Sequence, residues 1–290
     1  MTFDFKERVA VVTGAGRGLG RSYAQLLASL GAAVVVNDID AAPAAAVVEE
    51  IVAAGGRALA DSHDIASEAG ASGVVAAAST AFGRLDVLIN NAGVIRWGGP
   101  PGVDAKNLAE HLDVHTIGAF NTARAAWPLM AEQAYGRIVM TTSAGVFGLP
   151  ANTSYATAKG GVIGLTRSLA TAGSAVGISV NAIAPAAFTR MAGAGEAPPG
   201  MDPALAAPMA AFLAHEDCPV NGEIYAAGAG RFARIFLATT PGYVHAGDDV
   251  TVEDVAENWA TINDEAGYAV PVDLMEWSAA FMSHLDDGAT

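Results

Sequence analysis

A short β-branched run, Val9, Val11 and Val12, stops at Thr13 and Gly14, and three more glycines fall within the next six positions. A helical period follows, with Leu19, Tyr23, Leu26, Leu27 and Leu30 on one side. A buried strand, a glycine turn and a helix aim the helix N-terminus at an anion. Glycine serves where a Cβ would block the turn or hold backbone N–H groups away from that anion. The spacing is T-G-x-x-x-G-x-G, over Thr13, Gly14, Gly18 and Gly20. The G-x-G-x-x-G spacing would need glycine at Leu19 or Arg21 and does not fit. The expected architecture is α/β: a doubly wound, mostly parallel sheet with helices on both faces.

Later residues fit the same plan. Ala33 to Val36 reads as a second buried strand, ending at Asn37 and Asp38. A carboxylate there is placed to accept hydrogen bonds from an adenosine ribose and to repel a 2′-phosphate, so Asp38 favours NAD over NADP. A third strand is expected over Ala58 to Ala60, a helix over Ser67 to Phe82, and a fourth strand over Asp86 to Ile89. The tetrad Asn90-Asn91-Ala92-Gly93 comes next. Small residues let such a loop approach a nucleotide, and asparagine amides tie neighbouring strands. A helical region is expected over 104–132 and holds His111 and His115 on one face. Leu112 stands where a zinc protease needs glutamate, and no further ligands cluster, so no metal is expected.

After a fifth strand over 136–142 come Ser143 and then Tyr155-Ala-Thr-Ala-Lys159. Tyr155 and Lys159 share a helix face one turn apart. An ammonium so placed would stabilise a tyrosinate and depress the tyrosine pKa, fitting it for acid–base work near neutral pH. A sixth strand is expected over Ile178 to Ile183 and a mobile, Gly/Pro-rich loop over 193–203. A helix over Pro208 to His215 and a last core strand over Ile224 to Ala227 complete the reading.

Together the ordered motifs between residues 6 and 230 resemble the short-chain dehydrogenase/reductase family, whose fold is a Rossmann sheet. V-N-D ending at Asp38, V-H-x-x-G-x-F at 114–120, R-A-A-W at 124–127 and Y-G-R-I-V-M-T at 135–141 narrow the likeness. They are most similar to the (3R)-hydroxyacyl-CoA dehydrogenase parts of type 2 multifunctional enzymes. The resemblance implies an NAD-dependent oxidoreductase that interconverts a secondary alcohol and a ketone on a small-molecule substrate of the 3-hydroxyacyl-CoA type. It implies Tyr155 as general base in oxidation and acid in reduction, Lys159 as its pKa-lowering partner, and Ser143 on the substrate oxygen. Ser143 lies one residue nearer Tyr155 than the family's usual spacing, which Thr142 occupies, so Thr142 stays open. His115 stands where most members carry an asparagine, and is expected to orient Lys159 or a water. The implied cofactor residues are Gly14, Arg17, Gly18, Leu19 and Gly20 in the first loop, and Asp38 at the ribose. Asp64 and Ile65 would hold the adenine, joined by Asn91, Ala92, Gly93, Tyr155, Lys159, Pro185 and Thr189. A ketosteroid or other secondary-alcohol dehydrogenase is the alternative. A non-catalytic nucleotide-binding regulator is disfavoured by the intact Ser143, Tyr155 and Lys159.

Charge divides the chain. Of the net −15, residues 1–195 contribute −1, from 13 basic and 14 acidic side chains, and residues 196–290 contribute −14, from 2 and 16. Such acidity argues against nucleic acid and anionic membrane as partners. No apolar run reaches the roughly 18 residues of a membrane helix, and M-T-F-D-F-K-E-R shows no signal pattern. The single Cys218 fits a reducing cytoplasm. Residues 1–230 are expected to form the NAD-binding domain. Residues 231–290 would be an extension packed on the core or on a partner subunit of a homodimer or homotetramer. The extension should hold a helix capped by Thr251 and Asp254 and running through Trp259 and Ile262. A second helix should cover 272–285, with Leu274, Trp277, Phe281 and Leu285 on one side.

Overall fold

The computed structural model describes residues 3–285 except Arg190, Ala192, Ala194, Gly195, Ala197 and Asp248. The chain forms two compact units, Met1–Arg234 and Ile235–Thr290. The loop expected over 193–203 lies partly outside the described residues.

In the first unit, β1 (Val9–Thr13), β2 (Ala33–Asn37) and β4 (Val87–Asn90) are buried along their whole length. Their valine, alanine, leucine and isoleucine content suits strands covered on both faces. With β3 (Arg57–Asp61), β5 (Gly136–Thr141), β6 (Ile178–Ala186), β7 (Ile224–Gly228) and β8 (Arg231–Ile235) they form one sheet, ordered β3-β2-β1-β4-β5-β6-β7-β8. The ladders from β3 to β7 are parallel. The helices between strands are α1 (Gly18–Ser29), α2 (Ala41–Ala53), α3 (Glu68–Phe82), α4 (Ala105–Leu112), α5 (Gly118–Glu132), α6 (Thr153–Gly173) and α7 (Ala207–Leu213). Ala10, Val12, Val34, Val36, Val87 and Ile89 turn into one core with α1, α2 and α7. By strand alternation Val11, Val35 and Leu88 face the other side, where α3 packs on β1 and β2, and α6 on β5 and β6. Strand order reverses between β1 and β4, so the loops after these two strands meet at the crevice where doubly wound sheets bind ligands.

Four local expectations are corrected. Ile224–Gly228 is not the last strand of the sheet, because β8 returns beside it. Ala229 and Gly230, the two residues between them, both have positive φ (51° and 73°), as a tight two-residue hairpin turn requires. The helical region over 104–132 is continuous but contains a π-helical turn, Asp113–Ile117, joining α4 to α5. In the second unit the Thr251 and Asp254 capping box forms and opens α8 (Val252–Glu257). The helix then breaks at Asn258 before α9 (Trp259–Ile262). Asn258 Nδ2 donates to Asp254 O at 2.9 Å, a side-chain bond that competes with the helix ladder. α10 (Leu274–Met282) is shorter than expected and ends in a 3₁₀ turn, Ser283–Leu285. Trp277 stacks on Phe281 at 4.7 Å, yet Leu274, Phe281 and Leu285 remain more than half exposed.

Candidate active site

The glycine loop and the Asn90–Gly93 loop are joined by side-chain hydrogen bonds. Thr13 Oγ1 accepts from the amides of Asn91 and Ala92 (3.0 and 3.1 Å), and Asn91 Nδ2 donates to the carbonyls of Thr13 and Gly14 (3.0 and 3.1 Å). Gly14 has φ +61°, and a Cβ on it would sit 2.7 Å from Ala92 Cα, so only glycine fits the approach. A Cβ on Gly20 would run into the Gly14 carbonyl. Gly18 faces Thr189, whose Cγ2 lies 3.5 Å from the position a Cβ would take. Helix α1 begins at Arg17 with no side-chain cap and no acidic residue in its first turn. Its first amides therefore keep their partial positive charge for an external anion. Leu19 packs against the core.

Asp38 stands at the end of β2. Its Oδ2 accepts from Gly16 N at 2.9 Å and its Oδ1 from Asp40 N at 3.0 Å. Beyond β3, Asp64 is exposed and its Oδ1 accepts from Ala66 N at 3.0 Å, while Ile65 is buried against Gly118. Pro185 is part-buried in β6, opposite Ala227.

The second cluster is built by β5 and α6. Tyr155 and Lys159 lie one turn apart on α6, with Lys159 Nζ 5.7 Å from the Tyr155 ring centre. Lys159 is buried, and its Nζ donates to Thr141 O at 2.6 Å. Burial pulls its pKa from the ordinary lysine value to about 7. The Ser143 hydroxyl accepts from Gly145 N at 3.0 Å, and it lies beside the Tyr155 ring, both close to the position a Cβ on Gly145 would take. The depressed tyrosine expected from Tyr–Lys spacing is corrected here. Burial dominates and raises Tyr155 above its ordinary value, with the Ser143 hydroxyl acting the other way. Thr142 is turned elsewhere: its Oγ1 donates to Lys159 O at 2.8 Å inside the core.

His115 sits in the π-helical turn. Its ring meets Tyr155 edge-on, centroids 5.2 Å apart, and its Nε2 lies 2.7 Å from Val94 O. Burial first, and then the Lys159 charge, push it down to about 2, so it is neutral at any working pH. Its Nδ1 and Thr141 Oγ1 are buried with no partner among the described residues. Both residues line a small recess with Lys159, Asn90, Thr13 and Ile65. His111 escaped the sequence reading as a neighbour of the site. It stacks on His115 (6.1 Å) and meets Tyr155 edge-on (6.3 Å), with Nδ1 2.7 Å from Asn107 O and Nε2 accepting from Arg96 N. Its i, i+4 spacing from His115 was the available signal. The Thr141 carbonyl that holds Lys159 gave none. A bridge between Gly98 and Asn152 ties two loops whose Trp97, Phe147 and Leu149 are mostly exposed, forming an apolar rim. Among the described residues, no three potential ligands gather as a metal would need, and no helix is long and apolar enough to cross a membrane.

Comparison with known proteins places these features. Residues 8–197 match the family described as short chain dehydrogenase. A short-chain type dehydrogenase/reductase of Mycobacterium tuberculosis is 40% identical over 275 residues, covering 90% of this chain and 96% of that protein. Peroxisomal multifunctional enzyme type 2 of Drosophila melanogaster is 40% identical over 274 residues, covering 89% of this chain but 45% of that protein. The structure of the full-length Drosophila enzyme superposes with a TM-score of 0.84 at 33% identity, over 98% of this chain and 50% of that one. A 7α-hydroxysteroid dehydrogenase complexed with NADH and 7-oxo glycochenodeoxycholic acid superposes with a TM-score of 0.74 at 30% identity, over 79% of this chain and 96% of that one.

Proposed function

We propose that this chain, which belongs to the short-chain dehydrogenase family and is an oxidoreductase acting on CH–OH groups, uses NAD to interconvert a secondary alcohol and a ketone on a 3-hydroxyacyl-CoA-type substrate. The observation that carries the reading is the Tyr155 ring beside Ser143, with the buried Lys159 one turn on. The residues present fit NAD. The uncapped α1 and the Gly14–Ala92 approach form a cradle that a Cβ would fill, and Asp38 offers a carboxylate to a ribose. Gly14, Gly18, Gly20 and the Leu19 backbone would hold the phosphates. Asp64 and Ile65 would flank the adenine, and Asn91, Ala92, Gly93, Pro185 and Thr189 would line the nicotinamide side. Bound NAD would supply the hydride acceptor for oxidation and, reduced, the donor for the reverse.

The remaining work falls to the protein. Ser143 donates a hydrogen bond to the substrate oxygen and fixes its position. Tyr155 takes the hydroxyl proton during oxidation and returns it in reduction. A phenol above its ordinary value rests protonated, which suits reduction. For oxidation the Lys159 ammonium favours the phenolate as the proton leaves. His115, neutral throughout, is a hydrogen-bonding group and not an acid, placed to orient Lys159 or a water.

The likeness to the multifunctional enzyme supports a CoA thioester. The Trp97, Phe147 and Leu149 rim and the likeness to a hydroxysteroid dehydrogenase favour a steroid as the second reading. Initial rates with NAD on matched panels of 3-hydroxyacyl-CoA thioesters and hydroxysteroids decide between them. Higher kcat/KM on the thioesters is expected, and turnover of steroids alone would overturn the first reading.

A homodimer or homotetramer in the cytoplasm completes the proposal. An apolar groove on α5 and α6, lined by Phe120, Arg124, Trp127, Pro128 and Leu169, supports the association. The single cysteine supports a reducing compartment.

A further inference from the structure

Two helix-capping residues face each other at the ribose corner of the first unit, and neither caps its helix. Asp40 precedes α2 and Arg17 precedes α1; neither makes a side-chain bond to its own helix. Aspartate at such a position ordinarily accepts from the amides of the turn it begins. Here Asp40 Oδ2 instead accepts from Arg17 Nη1 at 2.8 Å. Both side chains are about half exposed, and an exposed pair of this kind adds little to stability. Its position gives it another use. Arg17 follows Gly16, whose amide holds Asp38, and the Asp40 amide holds the other Asp38 oxygen. A Cβ on Gly16 would lie 2.8 Å from Asp38 Oδ2. Gly16, Arg17, Asp38 and Asp40 thus form one cluster with a net charge of −1, and its one cation is already paired.

We propose that Asp40 is a second determinant of cofactor choice: by engaging Arg17 it withholds from a 2′-phosphate the cation that would otherwise bind it. The inference rests on the NAD reading above and divides discrimination into two parts. Asp38 repels the 2′-phosphate directly, and Asp40 removes its attractive partner. Replacing Asp38 alone removes the repulsion but leaves Arg17 occupied. Replacing Asp40 alone frees Arg17 while Asp38 still holds a ribose. Replacing both does more than the two effects multiplied.

The test is calorimetric titration of the full-length protein with 2′,5′-ADP and with 5′-AMP, so that binding is read apart from turnover. Asp40→Asn should tighten 2′,5′-ADP by roughly fivefold to twentyfold and change 5′-AMP by less than about twofold. The gain should shrink at high salt, where exposed charges are screened. Adding Arg17→Ala to Asp40→Asn should abolish it. Glu50→Gln removes an equal charge from the ion pair that Arg21 makes beside it, and should leave 2′,5′-ADP binding unchanged. An Asp40→Asn protein no different from Glu50→Gln would overturn the inference while leaving the NAD reading intact. A wild type that binds neither NAD nor 5′-AMP would overturn both.

Discussion

Tyr155 and Ser143 lie side by side, and the hydroxyl of each can be removed by a single substitution. Tyr155→Phe should lower kcat by roughly 10²–10⁴, the range for a lost general acid–base, while leaving NAD binding in place. Ordinary turnover by the Phe variant would refute the assignment. Ser143→Ala should cost far more kcat than Thr142→Val, because the Thr142 hydroxyl is spent on Lys159 O; the reverse ranking would move the substrate oxygen to Thr142. Lys159 gives a pH signature. Its folded value of about 7 lies below the ordinary lysine value. Between the two the unfolded chain binds the extra proton, so stability rises with pH there, and below about pH 7 the burial penalty is felt in full. Denaturant midpoints should show the wild type gaining on Lys159→Met by about 1.4 kcal/mol per pH unit between pH 7 and 10. A flat difference would mean that the ammonium is solvated. The spacing of Tyr155 and Lys159 is plain in the chain, but the depth at which they lie is not. Depth comes from helices distant in sequence, which is why a depressed tyrosine was expected and a raised one found.

The strand–turn–helix elements were the most legible, because each carries its own reason. Gly14 shows it: φ is positive and a Cβ has no room beside Ala92. Gly14→Ala should cost roughly 2 kcal/mol or more, lowering the melting temperature by about 4–8 °C. It should also weaken NAD binding, and calorimetry that finds neither loss would show that the loop has slack. β8 was missed for a physical reason. Arg-Phe-Ala-Arg-Ile is nearly all exposed, and it joins an edge through backbone hydrogen bonds that leave no apolar pattern to read. The π-helical turn was invisible because one added residue per turn alters the register of a helix without altering its composition. That turn sets the direction of His115, so the part of the site that sequence could least describe is the part it governs. The break at Asn258 belongs to the same class: an asparagine inside a helical period is neutral until its amide finds a carbonyl.

At the scale of the molecule, the acid charge and the exposed apolar side chains gather in the same unit. Residues 235–290 contain no lysine or arginine, and Trp259, Leu274 and Phe281 are more than half exposed. Charge keeps such a surface soluble, whereas apolar area of this kind favours association. Deleting 235–290 should leave a folded protein that still binds NAD but sediments with fewer subunits than the full-length chain. An unchanged number of subunits would remove the second unit from the account of assembly. The order of the strands carries a further consequence, for the ribosome. After β4 the sheet grows at one margin only, and β5, β6, β7 and β8 each join the edge left by the strand before. Translation delivers them in that same order, so each strand leaving the exit tunnel meets a partner already laid down. The chain can be folded as it is spoken, with no strand waiting on a later one after residue 90.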